Sequence, residues 1–334
     1  MEKVKKPSLD QILAHPVVQA VNPRTRDFVA MRWLSSALNP YQKHGIEIGA
    51  AIAFMSNFQH VKMVAAFGMM LHDYVSGAYD GIDTLVVPTS GNTGHGIATL
   101  ARAFGIEKVT VVMPSDAPEA KMGAVKMIPY ARLIIPEGEG SVESVAREEA
   151  DRPGSYLLDQ YSHPGNAQIH MECTGQKLLQ ALGGWEDNKL GLVAVGMGSG
   201  GTVTGVSRFL KTYRRDIIVI GVRPKLGERV PGTRDSEQMK AVVTIPYEDA
   251  VDDIVEVERK ESFTQARRLI LEVYPHVGPS SGLACVGLFK YLERSPDVRE
   301  LLQGRRAVFF CPDGAQLYPA PTAAELDPGQ GLRP

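Results

Sequence analysis

Lys62 opens an apolar stretch, Met63-Val64-Ala65-Ala66-Phe67-Gly68-Met69-Met70, and two glycine-rich turns follow it, Thr89-Ser90-Gly91-Asn92-Thr93-Gly94 and Gly198-Ser199-Gly200-Gly201-Thr202. Three kinds of chemistry are present in those residues. A lysine at a helix start among apolar neighbours loses favourable hydration of its charge, so burial there would lower its pKa and leave a nucleophilic amine near neutral pH. A glycine-rich turn that opens a helix presents unpaired N–H groups and the positive end of the helix dipole, which together bind anions. Two such turns suit a phosphate and a carboxylate held at once. Taken singly, each feature also has a plainer reading: Lys62 as a surface lysine on an amphipathic helix, and Thr89–Gly94 as an ordinary N-cap with turn glycines.

The elements that must position these residues are readable on either side of the turns. The first follows the strand-like run Asp83-Thr84-Leu85-Val86-Val87-Pro88, and the second follows Gly191-Leu192-Val193-Ala194-Val195. From Asp83 onward, strand-like and helix-like runs alternate: 85–88 then 94–104, 108–113 then 118–127, 132–136 then 141–149. The alternation resumes with 156–159, a helix over 167–182, 192–196, a helix over 203–213, and 217–221. Repeated βαβ calls for parallel sheets faced by helices, and one sheet of this many strands would be large, so two are expected. Residues 223–253 read as an irregular loop over a site, followed by helices at 262–273 and 282–292 and a strand at 307–311.

Composition narrows the class. The 334 residues, 44% hydrophobic, can bury two cores of ordinary domain size. A formal net charge of −2 gives no reason to expect nucleic acid or an anionic membrane as partner. Three widely spaced cysteines, Cys173, Cys285 and Cys311, make neither a disulfide framework nor a metal site, so no metal is expected. The charged start Met1–Pro7 lacks an apolar leader and no later run is long enough to span a bilayer, which predicts a cytoplasmic protein.

Asn57-Phe58-Gln59-His60-Val61-Lys62, the unchanged Thr-Ser-Gly-Asn-Thr-Gly at 89–94, the loop 198–202 and Gly278-Pro279-Ser280-Ser281-Gly282, in that order and spacing, resemble the fold-type II, pyridoxal-phosphate-dependent β-family. Within it they are most similar to the cysteine synthase and cystathionine β-synthase branch. Gln160-Tyr161-Ser162-His163-Pro164-Gly165-Asn166, with Ile169-His170 and Thr174-Gly175, adds to the likeness, which covers about residues 44–318. The resemblance implies an α/β chain of two three-layer domains with mostly parallel sheets, as in the tryptophan synthase β-like fold. Residues 56–165 would form a smaller mobile domain with the carboxylate loop, 1–55 and 166–318 a larger one with the phosphate loop, and 319–334 a flexible tail.

It also implies roles. Lys62 would be the Schiff-base lysine and the base for the α-proton. Gly198, Ser199, Gly200, Gly201 and Thr202 would hold the phosphate of pyridoxal 5'-phosphate, Asn92 its ring hydroxyl, and Ser280 its pyridine nitrogen, with Ser281 competing for that place. Thr89, Ser90, Gly91, Thr93 and Gln160 would hold the substrate carboxylate. The reaction implied is β-elimination or β-replacement on a β-substituted L-amino acid such as O-acetylserine or O-phosphoserine, with a second substrate as nucleophile, in a homodimer. Two alternatives stand beside it. A serine or threonine dehydratase is one, although such relatives usually carry Ser-Ser-Gly-Asn-His-Gly at the first turn. The other is a nucleotide-binding oxidoreductase, since Gly196–Gly201 satisfies G-x-G-x-x-G; yet the strand at 217–221 ends in Val222-Arg223 where a ribose would need an acidic residue. Phe58, Gln59-His60, Met63-Val64 and Arg223 depart from the family pattern, and His60 is placed where it could act on a leaving group.

Overall fold

A computed structural model describes residues 6–137, 140–184 and 189–318. Among the described residues ten strands form: β1 (Ala30–Trp33), β2 (Glu47–Ile52), β3 (Thr84–Pro88), β4 (Lys108–Val112), β5 (Ala131–Ile134), β6 (Ser155–Leu157), β7 (Leu190–Gly196), β8 (Ile218–Pro224), β9 (Asp253–Val257) and β10 (Arg306–Cys311). They make two sheets, one ordered β5-β4-β3-β6 and one ordered β1-β2-β10-β7-β8-β9. Every pairing is parallel except that of β1 with β2.

The chain divides into two compact units. One comprises the described part of Met1–Arg26 with Lys62–Ile169, and the other Asp27–Val61 with the described part of His170–Pro334. The grouping differs from the expected one at the amino terminus, where residues 6–26 go with the four-stranded sheet, and at 56–61 and 166–169, which fall on the other side of the expected bounds. Helix Pro16–Val21 packs on helices Lys62–Ser76 and Asn92–Ala101, Lys6 pairs with Asp80 at 2.9 Å, and Tyr74 donates its hydroxyl proton to the Pro7 carbonyl. The expected tail, 319–334, lies outside the described residues.

Strand order explains why glycine turns sit where they do. In the smaller sheet the chain steps from β3 to β4 to β5 in one direction, then returns to lay β6 on the other side of β3. Right-handed crossovers place the helices of the outward steps on one face and helix Val142–Ala150 on the other, giving three layers. The larger sheet repeats this: β7 to β8 to β9 runs one way, and β10 returns to the other side of β7, bringing helix Pro279–Arg294 across its strands. Leu85, Val86 and Val87, and likewise Leu192, Val193 and Ala194, are consecutive and fully buried, as strands covered on both faces must be. Each glycine turn therefore leaves the carboxyl end of a strand at which its own sheet reverses direction, the crevice where open α/β sheets bind ligands.

Three elements depart from the sequence reading, two of them within 223–253 and one in the helix over 167–182. Inside the stretch read as loop, Asp235 and Gln238 form a capping box that starts helix Ser236–Val242, and the stretch ends in β9. The helix expected over 167–182 is broken into Pro164–Ile169, a π-helical turn His170–Thr174, and Gly175–Ala181. Cys173, Cys285 and Cys311 are buried free thiols, and burial pushes the Cys311 thiol up to about 12, so it behaves as packing rather than as a nucleophile.

Candidate active site

In the first unit, Lys62 is the first residue of helix Lys62–Ser76, whose residues Met63 to Leu71 are all buried. A helix apolar on every side is a core helix, and its amino end is fixed by that packing. Gly96 shows what lies against it: a Cβ there would come within 3.1 Å of Ala66 Cβ and Met63 Sδ and 3.5 Å of the Lys62 carbonyl. A side chain there would need its neighbours to give by a few tenths of an ångström, so glycine eases the close approach of helix Asn92–Ala101. The half-buried Lys62 and Asn92 thus open two helices that touch near their starts.

The turn 89–94 is braced from within. Thr89 Oγ1 accepts the Gly91 N–H at 3.0 Å, and Gly91, at φ 137° and ψ −74°, caps the helix without a side-chain bond. A Cβ on Gly94 would lie 2.6 Å from Val111 Cγ1, so the loop is pressed onto β4. Thr93 donates its hydroxyl proton to Gln160 Oε1 at 2.8 Å, both residues buried, and the Gln160 carbonyl accepts from Asn166 Nδ2. The Gln160 amide NH2 faces away from that bond as a donor. Ser90 is exposed at the tip. The sequence reading missed Lys121, which is buried at 7% exposure with its methylene stem against Gly91. Its polar helix, Glu119–Lys126, reads as a surface helix, so no sequence signal marked it.

In the second unit, β7 ends at Gly196, and Met197-Gly198-Ser199-Gly200 leads into helix Gly201–Tyr213. Gly200 is left-handed at φ 80°, and a Cβ on Gly198 would meet the Gly232 carbonyl at 2.5 Å. Two glycines are therefore required by the turn itself, and the helix start has no side-chain cap. Ser199, Gly200 and Gly201 are buried, and Gly198 and Thr202 are half-buried. Thr202 Oγ1 lies 3.2 Å from His170 Nε2, and His170 Nδ1 lies 2.7 Å from Thr174 Oγ1.

Ser280 sits on the first turn of helix Pro279–Arg294 with its carbonyl near Gly196, at the end of β7. Its hydroxyl is buried, at 1% exposure, and has no hydrogen-bond partner among the described residues. A buried hydroxyl left unmatched costs about 1–3 kcal/mol, so Ser280 Oγ, like the neighbouring Ser281 Oγ, has a hydrogen bond to offer a bound group. An uncapped glycine cradle for an anion and an orphaned hydroxyl over the same strand end fit the phosphate and ring nitrogen of pyridoxal phosphate.

The residues that depart from the family pattern have structural places. Phe58 is fully buried, its ring 4.8 Å from that of Phe28. His60 is buried and bridges to Asp313 through the backbone, while Tyr318 donates to Asp313 Oδ2 at 2.5 Å. Arg223 pairs with Glu256 across β8 and β9 at 2.9 Å, so a cation stands where a dinucleotide site would carry its acidic ribose ligand. His72, Asp73 and His163 cluster on the first unit. His163 Nδ1 accepts the Gly165 N–H, so its ring proton is on Nε2 and is donated to Asp73 Oδ1 at 2.7 Å; that nitrogen has no lone pair to offer a metal.

Each unit is thus an α/β layer structure with a glycine-rich turn at its switch point. The class is confirmed by comparison: residues 58–312 match the sequence profile of the pyridoxal-phosphate dependent enzymes. The probable cysteine synthase of Bacillus subtilis is 31% identical over 269 residues, 76% of this chain and 85% of that one. The cystathionine beta-synthase of Dictyostelium discoideum is 30% identical over 81% of this chain and 56% of its own length. The crystal structure of cysteine synthase from Entamoeba histolytica superposes with a TM-score of 0.77 at 21% identity, covering 95% of this chain and 92% of that one, which shows the shared fold. The chain belongs to the pyridoxal-phosphate-dependent enzyme family, in its cysteine synthase and cystathionine β-synthase branch. It is an enzyme that works with pyridoxal phosphate.

Proposed function

We propose that this enzyme carries out β-replacement on an L-amino acid bearing a leaving group at Cβ, of the O-acetylserine type, with a second small nucleophile completing the reaction. When bound, pyridoxal phosphate supplies the electron sink that lets a proton leave Cα and a substituent leave Cβ. Lys62 holds the cofactor covalently through its amine and, once displaced by the amino group of the substrate, takes the α-proton on Nζ. Gly198, Ser199, Gly200, Gly201 and Thr202 hold the phosphate with backbone donors and two hydroxyls. Asn92 faces the ring hydroxyl. Ser280 meets the pyridine nitrogen with a neutral hydroxyl, which leaves the ring a moderate electron sink suited to elimination and replacement. Thr89, Ser90, Gly91 and Thr93 orient the substrate carboxylate, and Gln160 adds its amide donor.

The observation that carries this reading is the packing of the Lys62 helix start against the first turns of the helix opened by 89–94, which Gly96 makes close. Lys62 is thereby fixed beside the loop that would hold the substrate. Among the described residues no helix is long and apolar enough to cross a membrane. A cytoplasmic homodimer is the form we propose, from the character of the family and the reduced thiols.

The test is spectroscopic. Purified protein with pyridoxal phosphate is expected to absorb in the visible, and adding O-acetylserine is expected to shift that band and start thiol-dependent turnover. Serine or threonine giving ammonia and a keto acid faster than O-acetylserine gives product would favour the dehydratase instead.

A further inference from the structure

His170 is buried on the π-helical turn His170–Thr174, a rare element that recurs at functional sites, and its ring joins two threonines. Thr174 Oγ1 lies 2.7 Å from Nδ1 and Thr202 Oγ1 lies 3.2 Å from Nε2. With the ring neutral, two proton arrangements fit these distances. In one, Nδ1–H donates to Thr174 and Nε2 accepts the Thr202 proton, so Thr202 has none left for a ligand. In the other, Thr174 donates to Nδ1, Nε2–H donates to Thr202 Oγ1, and the Thr202 proton points outward.

We propose that His170 is a positioning residue for the cofactor phosphate: its Nε2–H occupies Thr202 Oγ1 and so aims the Thr202 hydroxyl proton at the anion held by Gly198–Thr202. This rests on the assignment of that turn to the phosphate. The chain of donors runs Thr174 to His170 to Thr202 to phosphate, and each bond polarises the next. Thr202 lies on the first helical turn, where the dipole already favours negative charge, so an anion there selects the second arrangement. Thr174 then serves to fix the ring tautomer rather than to touch a ligand.

The experiment has two arms. Nitrogen-15 NMR of histidine-labelled holoenzyme, with the His170 signals identified by their loss in His170→Gln, is expected to show a protonated Nε2 and a bare Nδ1. In parallel, pyridoxal phosphate is titrated into the cofactor-stripped enzyme. His170→Leu and Thr202→Val are each expected to weaken binding about five- to tenfold, and the double variant no further. His170→Gln, whose amide can place a donor at the Nε2 position, is expected to recover most of the loss, with unchanged thermal melting excluding a folding defect. A protonated Nδ1 in the holoenzyme, or fully additive losses in the double variant, would overturn the proposal. Cofactor-stripped wild-type protein that takes up no pyridoxal phosphate in the titration would instead overturn the phosphate assignment.

Discussion

The two glycine turns occupy the same topological position in their sheets yet are built on opposite principles. At 89–94 the loop is braced by its own side chains: Thr89 accepts from Gly91, and Thr93 is tied to Gln160. At 198–202 the shape is enforced by absence, since Gly198 and Gly200 leave no room or no allowed backbone for a side chain, and the polar support comes from His170 behind the turn. The first arrangement suits a ligand that arrives and leaves at every turnover. The second suits a group that stays. In the roles proposed above, what would distinguish a substrate loop from a cofactor cradle is how the donors are held, not how many glycines the turn contains.

The largest effect is expected at the lysine proposed to carry the cofactor. Lys62→Ala is expected to cost about three orders of magnitude in turnover, checked by steady-state assay with O-acetylserine. Next, Gly198→Ala forces a Cβ to 2.5 Å from the Gly232 carbonyl, and the overpacking, about 1–3 kcal/mol, is expected to appear as cofactor loss on dialysis with the substrate KM little changed in the protein that remains loaded. Thr93→Val is expected to do the reverse. It strands Gln160 Oε1, costs about 1–3 kcal/mol, and raises KM for the amino acid about tenfold while cofactor retention is unchanged. If both variants affected retention and KM alike, the division of labour between the turns would be wrong.

The smallest effect sits away from both turns. Burial alone would raise the Asp73 carboxyl, but hydrogen bonds from His163 and His72 hold it below its ordinary value of 3.8. A carboxylate whose pKa is lowered by folding stabilises the fold above its unfolded pKa, and that contribution is lost as pH falls through the lowered value. Below about pH 4 the first unit should accordingly soften. Asp73→Asn should melt earlier at pH 7 and show less further loss on acidification, read by thermal melts across pH 7 to 3.

How much of this was legible in the sequence depends on how local the signal was. The alternation from β3 to β8 was, because each strand is an apolar run ending in turn residues and each helix has its own start. β2 was not: Gly49-Ala50-Ala51 has no period to read, and it becomes a strand by pairing between β1 and β10. β9 and helix Ser236–Val242 were hidden by the turn formers around them, although the capping box at Asp235 and Gln238 was there to be read. At the site, Lys62, 89–94 and 198–202 were readable as motifs. The support behind them was not, since Thr202 and His170 lie 32 residues apart and Lys121 meets Gly91 only through packing.

The most direct measurement is to reduce the holoenzyme with borohydride and map the modified lysine by peptide mass spectrometry. The account requires the pyridoxyl group on Lys62, with the visible band abolished on reduction. Label on another lysine, such as Lys121, or a colourless protein that takes up no pyridoxal phosphate, would contradict it.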